Sequence, residues 1–183
     1  MAMRADDLWE MSPEEFLAGE RVAETKSEWV GGVVYNMAGA SKKHNQIVTN
    51  LIMVLGPTAR AHGCFLASSD LLVKTATAYY YPDLVTSCDP SDDPYVESRP
   101  CFIVEVLSPS TKRVDNHEKR DAYCALETMQ DYWIVQPELR VVEAYHRVEG
   151  GWESSHFTAN ALLDVTCLDL QISVVEAVGT PWD

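Results

Sequence analysis

Cys101-Phe102-Ile103-Val104-Glu105-Val106-Leu107 is an apolar run broken by one acid. It reads as a buried strand. An ionised carboxylate in that setting is costly unless a metal, a cation or hydrogen bonds compensate it. Upstream, Tyr79-Tyr80-Tyr81-Pro82-Asp83-Leu84-Val85 places a second acid in similar surroundings. Two carboxylates on two apolar strands of one sheet predict a hard-metal site.

Strand alternation puts Cys101, Ile103, Glu105 and Leu107 on one face. If the strand of Asp83 is the neighbour, the two carboxylates meet there. Paired oxygen ligands suit Mg²⁺ or Mn²⁺, and such an ion binds phosphate and makes a bound water more nucleophilic. The other reading is an acid at a strand end, hydrogen-bonded to a nearby amide. It fits Asp83 better than Glu105, which Ser108-Pro109-Ser110-Thr111 follows.

A helix expected over about 115–128 places Lys119 on one stripe with Ala122, Tyr123 and Leu126. Asp115, four residues earlier on that stripe, is a candidate partner. An inward lysine beside metal-binding acids orients the water or offsets charge on a pentavalent phosphorus; otherwise it snorkels past the core edge. His44 lies on the first turn of a helix expected from Ser41 to about 63, again on the apolar stripe, as a polar site contact or a packing residue. Glu28, just before a hairpin, is a candidate third acid. His62, His117, His146 and His156 lack ligand-like spacing, and Trp133 reads as core. No GxSxG, P-loop or GxGxxG is present, which leaves nucleophile and nucleotide-cradle readings unsupported.

The other segments predict one α/β domain over residues 1–183 with a mixed sheet. A first helix is expected over 9–20, capped at Ser12 with Pro13 at its start. Residues 28–37 read as a hairpin around Gly31-Gly32. The long helix carries Ile47, Val48, Leu51, Ile52 and Leu55 at helical spacing, with Pro57 and Gly63 towards its end. Strands follow at 64–74, 81–87 and 101–107, with 88–100 a loop. Further strands are expected at 131–135, 140–147 and 152–158, and a terminal helix at 173–178.

The chain has 183 residues and a net charge of −14. That charge disfavours a general nucleic-acid binder, because duplex affinity comes largely from Lys and Arg. Three basic doublets, Lys42-Lys43, Lys112-Arg113 and Lys119-Arg120, lie beside the candidate motifs, as a local basic rim or as ordinary solvated surface. No apolar stretch is long enough to span a bilayer and no secretory leader is visible, so a cytoplasmic protein without membrane contact is expected. The five cysteines, without a CxxC pair, read as reduced thiols rather than a zinc site.

Taken together, Met37-Ala-Gly-Ala-Ser41 with His44-Asn45, then Tyr81-Pro82-Asp83, then Val104 to Thr111, then Asp115, Lys119 and Tyr123, then Asp131-Tyr132-Trp133-Ile134-Val135, resemble the Uma family. That family is classed among endonucleases of the PD-(D/E)xK superfamily and was long described as a domain of unknown function. The likeness runs from about residue 10 to 178. It implies a restriction-endonuclease-like core, a mixed central sheet flanked by helices. By the same resemblance Asp83 is the acid of the PD motif and Glu105 that of (D/E)xK. Leu107 stands where the usual lysine would be, and Lys119 from the next helix takes its role. Glu28 matches an acid that can complete the metal site in related nucleases. Gly31-Gly32, Val33 and Gln136-Pro137 depart from the family pattern, in turns more than in the site.

These readings lead to an expected Mg²⁺-dependent (or Mn²⁺-dependent) deoxyribonuclease. Asp83 and Glu105 would hold the ion with the carbonyl of Val106, Lys119 would act on the water or the phosphorus, and His44 would be peripheral. DNA is the expected substrate and a homodimer the expected assembly. The rival is a non-catalytic dimeric binding or regulatory domain on the same fold, which the acidic charge favours. A small-phosphoester enzyme is the third reading.

Overall fold

The computed structural model of the chain describes residues 11–108 and 114–179. In chain order the elements are α1 (Pro13–Glu20), β1 (Ser27–Val30), β2 (Val33–Asn36), α2 (Lys42–Ala61), β3 (Phe65–Ala67), β4 (Leu72–Lys74), β5 (Ala78–Tyr80), β6 (Leu84–Ser87), β7 (Val96–Glu97), β8 (Phe102–Val106), α3 (Val114–Cys124), β9 (Asp131–Gln136), β10 (Val141–Val148), β11 (Gly151–Thr158), β12 (Leu162–Val165), β13 (Leu170–Ser173) and α4 (Val174–Val178). A 3-10 turn, Thr166–Leu168, joins β12 to β13.

A six-stranded sheet runs β11-β10-β9-β8-β6-β3. It is mixed: β8 and β9 are parallel, with α3 as their crossover, and β8 and β6 are antiparallel. A five-stranded sheet runs β2-β1-β5-β4-β7, and β12 and β13 form a separate hairpin. The chain leaves the smaller sheet at β5 and enters the larger one at β6. Tyr81-Pro82-Asp83 is the connection between them.

Local chemistry explains most of the element boundaries. Ser12 and Glu15 form a reciprocal capping box at the start of α1. Gly31 and Gly32 both have positive φ, 54° and 99°, so the tight β1–β2 turn uses the backbone freedom of this pair. Ser41 accepts the His44 amide and caps α2. That helix continues past Pro57. It stops in a Schellman motif, in which Cys64 N–H donates to Ala59 O (2.8 Å) and Gly63 N–H to Arg60 O (3.1 Å). Gly63, at φ 69°, supplies the left-handed residue.

Apolar residues pack on both faces of β8. On one side Phe102, Val104 and Val106 meet Ile47, Val48, Leu51 and Leu55 of α2 and the C-terminal hairpin. On the other, Ile103 packs with Tyr80, Tyr123, Met129 and Tyr132. Trp133 is buried as expected, its ring 4.8 Å from that of Phe102.

Several expectations are corrected. The strand expected over 64–74 is two strands, separated by Ser69 at φ 51°. The strand expected at 81–87 starts at Leu84, and Ala78–Tyr80 belongs to the other sheet. The 88–100 loop contains β7, α3 stops at Cys124, and the β12–β13 hairpin was not anticipated. Cys101 precedes β8 and packs with the Phe102 side rather than with Ile103. The structure pairs Cys64 with Cys88 and Cys101 with Cys167 as disulfides, where reduced thiols were expected; Cys124 is free. Among the described residues, no helix is long and apolar enough to cross a membrane.

Candidate active site

The antiparallel register of β6 and β8 pairs Leu84 with Val104, so one step further brings Asp83 level with Glu105. Both acids come to the end of the central strands where the two sheets meet. Val106 N–H donates to Asp83 Oδ2 at 2.7 Å, the amide contact expected of an acid at a strand end. His44, delivered by the first turn of α2, places Nε2 3.0 Å from the same oxygen. The imidazole is therefore a direct partner of Asp83. That hydrogen bond raises the pKa of His44; burial opposes it, and the charges of Asp83 and Glu105 reinforce it.

Glu105 is 8 % exposed. Tyr123 O–H donates to its Oε1 at 3.1 Å, and Lys119 Nζ lies 3.5 Å from the same oxygen. Burial raises the Glu105 pKa, and Lys119 opposes that shift. Asp83 and Glu28 add to it, while the Tyr123 hydrogen bond works against it. Lys119 also reaches Glu28 Oε1 at 2.7 Å and sits 5.2 Å from the Tyr80 ring centroid. Burial disfavours its charge, but Glu105 and Glu28 outweigh that and raise its pKa above that of a free lysine. The inward stripe of α3 is seen: Tyr123 is fully buried, and Ala122 and Leu126 pack in the same cluster. Leu126 lies just past the helix end.

Glu28 enters from β1 in the smaller sheet and accepts the Tyr81 amide at 3.0 Å. It thereby fixes the segment that carries Asp83. The structure thus gathers Asp83, Glu105, Lys119, Glu28 and His44 in one place. The side chain of Asp115 and residues Pro109 to Arg113, including the Lys112-Arg113 doublet, lie outside the described residues. The role of Tyr123 as a Glu105 partner was missed. Its place on the Lys119 stripe was the available signal.

Two other buried acids give the contrast. Asp131 accepts the Thr166 amide at 2.7 Å, and Glu97 accepts those of Arg99 (2.7 Å) and Ser91 (3.2 Å). Backbone donors hold Glu97, and Asp131 has the His146 imidazole (Nδ1 at 2.7 Å) beside its backbone donor. Glu105 is met by a cation and a phenol. The neighbouring carboxylates of Asp83 and Glu28 add oxygen donors, a hard set that fits Mg²⁺ or Mn²⁺ better than a soft ion.

A protein of Synechocystis sp. (strain ATCC 27184 / PCC 6803 / Kazusa), "Uncharacterized protein slr1290", is 31% identical over 169 residues, 90% of this chain and 89% of its own length. A second from the same organism, "Uncharacterized protein sll1609", is 29% identical over 140 residues, 73% of this chain and 79% of its own. Among solved structures, a "putative nuclease belonging to DUF820" from Anabaena variabilis ATCC 29413 superposes with a TM-score of 0.75 at 18% identity. That alignment covers 92% of this chain and 97% of the other and shows a shared fold. The family model described as "Putative restriction endonuclease" matches residues 13–175, and the chain belongs to that family, Uma2.

Proposed function

We propose that the chain is a divalent-metal-dependent endonuclease that hydrolyses DNA phosphodiester bonds. The supporting observation is the group at the sheet junction: buried Glu105 level with partly buried Asp83 on the neighbouring strand, with Lys119 delivered from α3 to 3.5 Å from Glu105. Asp83, Glu105 and the carbonyl of Val106 would hold Mg²⁺ or Mn²⁺. Bound there, the ion supplies Lewis-acid chemistry to a phosphate oxygen and lowers the pKa of a bound water.

The remaining roles follow from the side chains. The carboxylates of Glu105 and Glu28 favour the charged form of Lys119. It donates hydrogen bonds, to the attacking water or to the oxygens that gain charge in an in-line displacement. Glu28 holds its ammonium in place. His44 and the Val106 amide fix the rotamer of Asp83. Tyr123 orients Glu105 from beneath.

Incubation with supercoiled plasmid and Mn²⁺ tests this reading. Wild type should nick the plasmid, and Glu105→Gln should leave it intact. Equal inertness of the two at high enzyme concentration would end the proposal. Comparing a duplex with a dinucleotide analogue separates a nuclease from an enzyme of small phosphoesters. The net charge of −14 favours the second reading, a dimeric binding or regulatory domain. Calorimetry distinguishes it: a binding module has no need of a divalent site and should release no heat with Mn²⁺. Pairing of two copies has a candidate surface in β11, a mostly exposed edge strand of the larger sheet.

A further inference from the structure

Four cysteines from four separate segments converge at the other end of β8, about 13 Å along the strand from Glu105. Cys64 follows the Schellman end of α2. Cys88 follows β6, Cys101 precedes β8, and Cys167 lies in the 3-10 turn after β12. Each is fixed by its own element: Cys64 N–H is held by Ala59 O, and Cys101 N–H donates to Thr86 O at 2.8 Å. Pairing as Cys64–Cys88 and Cys101–Cys167 leaves the two bridges in contact. Cys88 Sγ is 3.9 Å from Cys101 Sγ and 3.5 Å from the Cys167 carbonyl. The sulfurs of Cys88, Cys101 and Cys167 lie within 4.8 Å of one another. Cys64, bonded to Cys88, adds the fourth.

Four cysteine sulfurs gathered at one end of the sheet also match the ligand set of a tetrahedral thiolate site. A tetrahedral zinc site with metal–sulfur bonds of about 2.3 Å has sulfur–sulfur edges of about 3.8 Å, close to the observed Cys88–Cys101 separation. We propose that, when both bridges are reduced, Cys64, Cys88, Cys101 and Cys167 form a thiolate site for a soft divalent ion, with zinc the natural occupant. A dithiol reductant gives each bridge two electrons and two protons and leaves as its own disulfide. Metal binding then displaces the thiol protons to solvent. The oxidised and metal-bound states exclude each other. The bridges tie the β12–β13 turn to the start of β8 and the end of α2 to the end of β6; one shared ion would tie all four segments together.

The site is chemically distinct from the carboxylate cluster, and its test is independent of nuclease activity. In a Glu105→Gln background, which disables the hard-ligand site, the protein is reduced with a dithiol, freed of reductant without oxygen and titrated with Co²⁺. We expect one ion per chain, an intense thiolate-to-cobalt charge-transfer band, and displacement of cobalt by zinc. The oxidised protein should show no band. Cys88→Ser, at an exposed position, and Cys167→Ser should each weaken the band and the binding, and Cys124→Ser should leave both unchanged. A reduced protein with native circular dichroism and no thiolate band overturns the proposal. So does a reduced chain that unfolds and does not regain its native spectrum with zinc. Regain of that spectrum on adding zinc supports it.

Discussion

The two faces of β8 are built from alternate residues of one five-residue strand, yet they differ in kind. Phe102, Val104 and Val106 face a wholly apolar layer of α2 and the C-terminal hairpin. Ile103 and Glu105 face tyrosines and a buried lysine. The first face follows ordinary rules of burial. The second retains charges that a hydrophobic replacement of equal volume would often improve in stability. The apolar face holds the fold, and the polar face keeps costly groups together where the two sheets meet.

Substitutions should therefore separate the two. The largest effect on activity is expected from Lys119→Met. It removes the donor aimed at developing charge and should lower kcat by about 10²–10³-fold, read as plasmid nicking rates at saturating Mn²⁺. The protein should remain folded, although Glu28 and Glu105 lose their shared partner. On the other face, Leu51→Ala opens a cavity at a fully buried position. It should cost about 2–5 kcal/mol in urea unfolding, while nicking per folded molecule stays near wild type. A Leu51→Ala protein that folds normally but has lost activity would break the division between the faces.

A pH series sharpens the same contrast. Burial raises the Glu105 pKa, so the folded metal-free protein keeps a proton that the unfolded chain releases. Stability then falls as pH rises above the ordinary glutamate range of about 4.3. His44 acts in the same direction. Its raised pKa contributes stability below about 6.5 that is lost as pH rises through the higher folded value. Thermal melts of metal-free protein should show this decline. Glu105→Gln should flatten the lower part of the curve, and no flattening would mean that Glu105 titrates normally. Tyr123→Phe should give the smallest effect, about 1 kcal/mol for one hydrogen bond. Its signature is a loss of stability that continues to higher pH, because the phenol favours the ionised Glu105.

Much of this was legible in the chain. An acid inside Cys101 to Leu107 marks itself, because burial makes its presence expensive, and helical spacing alone turned Lys119 inward. The Ser12 cap and the Gly31-Gly32 turn are local signals and fell where expected. What was missed depends on contacts between distant segments. Tyr79 to Val85 reads as one apolar run, but its residues divide between two sheets, a choice made by strand pairing rather than composition. Spacing cannot show that cysteines 64, 88, 101 and 167 meet, because their proximity comes from the ends of four elements. His44 looked peripheral for the same reason. Its link to Asp83 depends on where the N-terminus of α2 docks.

Lys119 has a further consequence. Glu28 is anchored in the five-stranded layer and Glu105 in the six-stranded one, so a single ammonium clasps both layers. Tyr81-Pro82-Asp83 crosses between the same two layers, and Glu28 also accepts the Tyr81 amide, so the ion pair and the chain connection brace one and the same junction.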